Sequence, residues 1–115
     1  MIPARFLDRM FKLESETNEL KLWLEQKATT EYIAWKADNP KDRTAKEKVL
    51  DQLKLNNVSW LEKEQEYQTV KFSYDKAKTV VQILKETLPV MSNKDFMGKE
   101  DWDNLISEYE KILEE

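Results

Sequence analysis

A regular alternation of apolar positions runs through the second half of the chain. Between residues 60 and 88 these positions recur at alternating steps of three and four, with one lysine among them: Trp60, Lys63, Tyr67, Val70, Tyr74, Ala77, Val81, Leu84 and Leu88. Such heptad spacing places the side chains along one side of an α-helix. The sequence therefore predicts a long amphipathic helix over about residues 59–88, which Pro89 ends or kinks.

A similar stripe predicts a first helix over about residues 3–37, with Pro3 in its first turn. Its members are Phe6, Met10, Leu13, Thr17, Leu20 and Leu24, followed by Ala28, Tyr32 and Trp35. The steps after Leu24 depart from the heptad, so we expect the stripe to drift around the helix.

Two shorter helices complete the prediction. One covers about residues 40–56 and starts either at Pro40, with Asn39 as N-cap, or at Thr44, which forms a capping-box pattern with Glu47. We expect a break at Asn56-Asn57, followed by a second capping box from Ser59 to Glu62; one continuous helix is the alternative. The other short helix covers about residues 99–113, with one apolar face formed by Trp102, Leu105, Ile106, Tyr109, Ile112 and Leu113. The intervening SNKDFMG is expected to form a single turn, with Ser92 as cap and Gly98 as stop.

The composition agrees with long helices, because the chain has 1 glycine, 3 prolines and 37% charged residues. Its 115 residues correspond to about one domain. We predict an all-α fold over residues 1–115, a long antiparallel helical hairpin or small coiled-coil-like bundle of about four helices. Pairing of the two long helices within one chain or between chains remains open.

Several kinds of chemistry are missing from the sequence. Without cysteine and histidine, the chain has no thiol nucleophile, no zinc finger and no Ser-His-Asp triad. The single glycine, Gly98, excludes a glycine-rich phosphate loop. Carboxylate pairs at Glu62–Glu66 and Glu100–Asp103 have metal-ligand spacing, but they lie off the apolar stripes. We therefore expect no enzyme, no metal and no cofactor.

No apolar run approaches the roughly 20 residues of a membrane span. The amphipathic beginning, with Arg5, Arg9 and Lys12, is compatible with a transit peptide or a membrane-surface helix. Asp8 and the continuation of the stripe past Leu13 favour an ordinary core helix. We expect a cytoplasmic protein without a membrane partner.

Both long helices also carry apolar residues away from these stripes. In each helix they are eleven residues apart, which is almost three turns, and the two sets are Phe11, Leu22 and Ile33, and Leu61, Phe72 and Ile83. Phe72 lies about 160° around the helix from Tyr74. We interpret these residues as an interaction face for a second copy of the chain or for another protein. Isolated exposed apolar residues are the alternative.

The last predicted helix is rich in acidic residues, namely Glu100, Asp101, Asp103, Glu108 and Glu110. They define a candidate docking face for a basic surface, and a solvated helix face is the alternative. Nucleic-acid binding would use Arg5, Arg9 and Lys12, or the segment Lys36–Lys54 with Lys41, Arg43, Lys46 and Lys48. That segment has six basic and four acidic residues, too even a balance for a phosphate-binding track.

The middle of the chain reads NPKDRTAKEKVLDQLKLNNVSWLEKEQEYQTVKFSYDKAKTVVQILKETL, and it includes the step Tyr74-Asp-Lys-Ala77-Lys78. This segment resembles a kind of small helical protein that bacteriophages and prophages encode among early or recombination genes. The resemblance implies an accessory role near DNA recombination, or modulation of a host protein in the host cytoplasm. From the residues themselves we predict a non-enzymatic, oligomeric protein–protein interaction module. A nucleic-acid-binding accessory protein of recombination or replication is the alternative.

Overall fold

The computed structural model describes the backbone of residues 2–94 and 98–114 and the side chains of residues 2–88 and 98–114. Four α-helices occur in this part of the chain, and no strand does: α1 (Ala4–Asp38), α2 (Lys46–Leu55), α3 (Val58–Lys94) and α4 (Lys99–Glu114). The predicted all-α fold with about four helices is confirmed. The bounds of α1 and α4 lie within one residue of those expected.

Asn39 ends the first helix instead of starting the second. Its side-chain Nδ2 donates a hydrogen bond to the Trp35 carbonyl at 2.9 Å, and its backbone N–H donates to the Lys36 carbonyl at 3.2 Å. These bonds satisfy carbonyl groups that the last turn of α1 leaves without an intrahelical partner. The prediction of Asn39 as an N-cap was therefore wrong.

The second helix begins later than either predicted start, at Lys46. Thr44 belongs to a turn with Asp42, whose Oδ1 accepts bonds from the Thr44 backbone N–H at 2.7 Å and from its hydroxyl at 2.6 Å. The N-cap is Ala45, which has no polar side chain to cap the helix. Because the Thr44 hydroxyl is bonded to Asp42 in this Asx-type turn, it does not form the capping box that the sequence predicted.

The predicted break at Asn56-Asn57 is confirmed, but its capping residue differs from the one expected. The Asn57 side-chain Oδ1 accepts from the Trp60 backbone N–H at 3.1 Å, and the Asn57 carbonyl accepts from Leu61 N–H at 3.1 Å. Asn57 is thus the N-cap of α3, in the favoured position for an asparagine. Ser59, the predicted cap, already lies within the helix.

The third helix runs past Pro89 to Lys94. Of the two outcomes predicted at Pro89, an end or a kink, the end of the helix at about Leu88 was therefore wrong. Proline removes one intrahelical donor at a cost of about 3 kcal/mol, which a long packed helix can carry. Ser92, predicted to cap a separate turn, is inside α3; residues 95–97 of that turn lie outside the described residues. Gly98 precedes α4, and its carbonyl accepts the Trp102 N–H at 3.2 Å, so it begins a helix where a stop was expected.

The chain divides into two compact units. Unit 1 combines Met1–Glu14 with Lys71–Glu115, and unit 2 is Ser15–Val70. The buried core of unit 1 draws on three helices: Phe6, Ala77, Val80, Val81, Leu84, Ile106 and Leu113. The predicted stripe of α3 supplies Ala77, Val81 and Leu84 to this core.

Unit 2 has its own buried residues, one or more from each helix segment within it: Thr17, Leu20, Val49 and Trp60. Leu24 and Ala28 of α1 line the same groove as Trp60 and Tyr67 of α3. Leu20 and Trp23 lie with Lys63, Glu66 and Val70. Later positions of α1 therefore meet earlier positions of α3, which is the antiparallel pairing that the hairpin prediction requires.

Candidate interaction site

The predicted apolar face is divided between the two units. Phe11, Phe72 and Ile83 belong to unit 1, and Leu22, Ile33 and Leu61 belong to unit 2. The five residues other than Ile83 are exposed, with Phe72 the most accessible at 68%. Ile83 is half-buried. Each unit therefore presents large apolar side chains that its own core does not cover.

In unit 1, Phe72 and Ile83 line one groove between α3 and α4. Its volume is about 360 Å³, and the other lining residues are Asp75, Lys76, Thr79, Val80, Tyr109 and Ile112. Val80 is 4% exposed and forms part of the core, whereas Ile112 remains 41% exposed. Phe11 does not occur among the described lining residues. We call this feature the α3–α4 groove.

Helical spacing explains how α3 forms one wall of the groove. Residues 72, 75, 76, 79, 80 and 83 follow steps of three, one, three, one and three, which keep them on one side of a helix. The Thr79 hydroxyl donates to the Asp75 carbonyl at 2.8 Å, so its polar group is satisfied within the helix. Lys76 Nζ lies 6.0 Å from the centre of the Phe72 ring, within the range of a cation–π contact. This wall thus combines the apolar side chains of Phe72, Val80 and Ile83 with two opposite charges, those of Asp75 and Lys76.

The other wall comes from Tyr109 and Ile112 of α4, which the sequence reasoning placed on an ordinary core-facing stripe. Ile106 and Leu113 on that stripe are buried in the core of unit 1. Ile112 lies at the edge of the stripe, about 100° from its neighbour Leu113. The signal available in the sequence was the width of the apolar arc of α4, which is greater than one packing partner can cover.

The predicted acidic docking face is only partly available to a partner. Glu100, Asp101, Asp103 and Glu108 are exposed. Glu110 is half-buried and forms an ion pair with Arg5. Glu100 and Asp101 also lie in the first turn of α4, where negative charge is stabilised by the helix dipole. Glu100, Asp101 and Glu110 therefore have structural roles besides any docking role.

Two of the cations proposed for phosphate binding instead hold α4 against the start of α1. Arg5 pairs with Glu110, and Arg9 Nη2 donates to the Leu113 carbonyl at 2.5 Å. A guanidinium at the last turn of a helix satisfies a terminal carbonyl and interacts favourably with the helix dipole. A small cavity of about 140 Å³ beside them is lined by two arginines and two glutamates, together with Phe6 and Leu113. Its charges are balanced within the unit.

Lysines of the second candidate nucleic-acid segment also have intrachain contacts. Lys46 Nζ lies 5.2 Å from the Tyr32 ring centre, and Lys36 Nζ lies 6.0 Å from that of Trp35. The two rings stack with centroids 6.0 Å apart. Lys54 Nζ lies 5.6 Å from the Trp60 ring centre and 3.2 Å from Glu64 Oε2, close enough for charge attraction without hydrogen-bond alignment. These lysines bind their own unit's aromatic and acidic groups.

Asp42 is an ionisable group whose pKa is changed by its environment. The Thr44 hydroxyl and backbone N–H both donate to its carboxylate and lower the pKa of Asp42, and the positive charge of Lys36 acts in the same direction. Lys36 also donates to the Asp42 carbonyl oxygen at 2.6 Å. The shift comes from an exposed turn between α1 and α2, where these hydrogen bonds stabilise the local structure.

Among the side chains of residues 2–88 and 98–114, no group of three or more carboxylates is positioned to hold a metal ion. This includes the segments around Glu62–Glu66 and Glu100–Asp103. Within the same described residues, none of the helices combines the length and apolar character needed to cross a membrane. No protein-family model, curated protein or solved structure matches this chain.

Proposed function

We propose that this protein is a non-enzymatic helical interaction module whose binding surface is the α3–α4 groove. The observation that carries the proposal is Phe72, a phenyl side chain 68% exposed beside an apolar groove of about 360 Å³. Exposure of a single large apolar residue is common on protein surfaces. Here Phe72 adjoins Ile83, Tyr109 and Ile112, and contiguous apolar surface of this kind is typical of protein-binding sites.

The ligand that fits such a surface is an amphipathic helix. The groove lies between two helices, and its apolar positions on α3 follow helical spacing, so a third helix would pack its own apolar stripe along it. Aromatic residues supply much of the binding energy at protein interfaces, which makes Phe72 the expected centre of the contact.

The biological setting is also a proposal and rests on the resemblance of residues 39–88 to phage and prophage accessory proteins. On that basis the partner is a protein of the host or of the phage recombination machinery, bound in the cytoplasm. The exposed acids Glu100, Asp101, Asp103 and Glu108 would favour a partner with a basic flank.

The proposal is tested by comparing two variants in a co-purification experiment from the native host cells. Phe72→Asp places a charge in the groove, whereas Leu55→Asp places the same charge at an exposed leucine of α2, 75% accessible and outside the predicted face. We expect a protein that co-purifies with wild type and Leu55→Asp to be lost with Phe72→Asp. Equal recovery with both variants would show that the groove is not the binding surface.

A binding assay with a labelled single-stranded oligonucleotide addresses the alternative function. Because Arg5, Arg9, Lys36, Lys46 and Lys54 already contact groups of this chain, we expect no salt-dependent binding. Binding at low salt that is lost on replacing Lys41, Arg43 and Lys48, which are exposed, would favour a nucleic-acid partner instead.

A further inference from the structure

We propose that the connection between α1 and α2 is a cleavage site for a protease that cuts after basic residues, and that the cut protein persists as two associated fragments. The reaction is hydrolysis of the Arg43–Thr44 peptide bond. One water molecule is consumed, Arg43 gains a free carboxylate and Thr44 gains a free amino group. This site lies outside the α3–α4 groove and is independent of the function proposed for that groove.

The connection holds two basic residues outside any helix, Lys41 and Arg43, and both are exposed. In the part of the chain whose backbone is described, every other lysine and arginine lies within one of the four helices. A helix must unfold locally before its backbone can take the extended form in which a protease binds a substrate. Exposed connections are therefore the usual sites of proteolytic nicking. A protease with basic specificity finds its accessible substrate positions in this connection.

The local backbone favours cleavage after Arg43 over cleavage after Lys41. Lys41 is the third residue of a β-turn, which the Asp42 N–H closes by donating to the Asn39 carbonyl at 3.2 Å. Its backbone is therefore curved, and the turn must open before a protease can bind it. Arg43 follows this turn, and the N–H of its own peptide bond with Thr44 donates to the Asp42 side chain in an exposed contact. Water can replace that acceptor at low cost, so the Arg43–Thr44 bond is the more accessible one.

Cleavage there separates α1 from the other three helices, yet unit 1 holds the first part of α1 in its core. Phe6 is buried among residues of α3 and α4, and Met10 and Leu13 pack against the same core. Arg9 also donates a hydrogen bond to the carbonyl of Leu113 at the end of α4. These contacts join residues on the two sides of the cleaved bond, so hydrolysis leaves them in place.

Unit 2 holds the remaining part of α1 in the same way. Thr17 and Leu20 of α1 are buried in this unit. Closer to the cleaved bond, the Tyr32 ring of α1 has Lys46 Nζ of α2 at 5.2 Å from its centre. Both parts of α1 therefore have partners in the second fragment, and the buried apolar area keeps the two fragments together.

Limited digestion of the purified full chain with trypsin, followed by mass spectrometry, tests the position of the site. We expect the first products to be residues 1–43 and 44–115. Arg43→Gln should abolish both products, whereas Lys48→Gln, the matched control at an exposed lysine of α2, should leave them unchanged. A first cut after any other basic residue of the wild-type chain would overturn the proposal.

Size-exclusion chromatography of the digest tests whether the fragments stay together. We expect them to elute together, at the volume of the uncut chain, and to separate in concentrated guanidinium chloride. The cut protein should also melt at a lower temperature than the uncut chain, and that temperature should rise with protein concentration, because folding now joins two molecules. Separate elution of the two fragments in native buffer would overturn their proposed association.

Discussion

At the scale of single residues, burial divides similar side chains into those that hold the fold and those that do not. Leu84 is completely buried in unit 1, whereas Leu55 at the end of α2 is 75% exposed. The same contrast separates Val80 from Phe72 on α3. The type of a residue alone therefore does not decide how much it stabilises the fold, because the stabilisation scales with the apolar area removed from water.

Leu84→Ala is expected to lower the free energy of unfolding by about 2–5 kcal/mol, because it removes a fully buried side chain and leaves a cavity. Leu55→Ala is the matched control and should change it by less than about 0.5 kcal/mol. Urea denaturation followed by circular dichroism measures both values. Similar losses for the two variants would contradict the core of unit 1 described above.

Asp42 provides a prediction about pH. Its folded pKa is lowered by the Thr44 hydrogen bonds, so the ionised carboxylate is favoured in the folded turn. The resulting stabilisation is present above the unfolded pKa and is lost as the pH falls through the folded pKa. We expect a carboxyl-carbon NMR titration to give Asp42 a pKa below the ordinary aspartate range. Thr44→Ala should raise this pKa, because it removes the side-chain hydrogen bond to the carboxylate. A titration of Asp42 unchanged by Thr44→Ala would exclude the turn as its cause.

At the scale of elements, the helices begin and end where local polar groups satisfy their terminal backbone. Asn39 closes α1, and Asn57 opens α3 through its side-chain oxygen. Thr44 fitted a capping pattern as well as Asn57 does, yet its hydroxyl is held by Asp42. Neighbouring polar groups compete for the same hydrogen bonds, and the outcome decides which residue caps a helix. A sequence pattern does not rank these competitors.

Asn57→Ala should destabilise the protein by about 1 kcal/mol, because the first turn of α3 loses the acceptor for the Trp60 N–H. Ser59→Ala, at the position that the sequence suggested as cap, should cost less than about 0.5 kcal/mol. Thermal unfolding of the two variants compares them directly. A larger effect at Ser59 would contradict the assignment of the cap to Asn57.

The contact between α4 and α1 allows a second test at this scale. The side chains of Arg5 and Glu110 are 61% and 36% exposed, so solvent screens their ion pair. A double-mutant cycle with Arg5→Ala and Glu110→Ala should give a coupling free energy of about 0.2–1 kcal/mol. We expect the coupling to fall at 1 M salt. A coupling well above this range would mean that the pair is more shielded than its exposure indicates.

At the scale of the whole molecule, each unit has its own core, and both draw on segments of α1 and α3. The groove is a property of unit 1 as a folded body, since its walls come from α3 and from α4.

Much of this organisation was predictable from periodicity. The stripes of α1 and α3 became core or half-buried positions, and the break at Asn56-Asn57 occurred where predicted. The exposure of Phe72 also followed from its place opposite Tyr74. The start of α2 and the end of α3 were not predicted correctly. A local pattern cannot weigh a competing turn, and it does not decide whether a proline ends a helix or lies within it.

The sequence by itself determined the all-α class, the two long helices and the apolar residues that their main stripes leave outside. Only the tertiary structure decided that α4 supplies Tyr109 and Ile112 as the second wall beside Phe72, and that Arg5 and Arg9 hold α4 in place. The reason is physical. Helical periodicity depends on neighbours a few residues apart. The groove and the contacts of Arg5 and Arg9 with α4 instead join residues that are distant in sequence, up to 105 positions apart, and only packing brings these together.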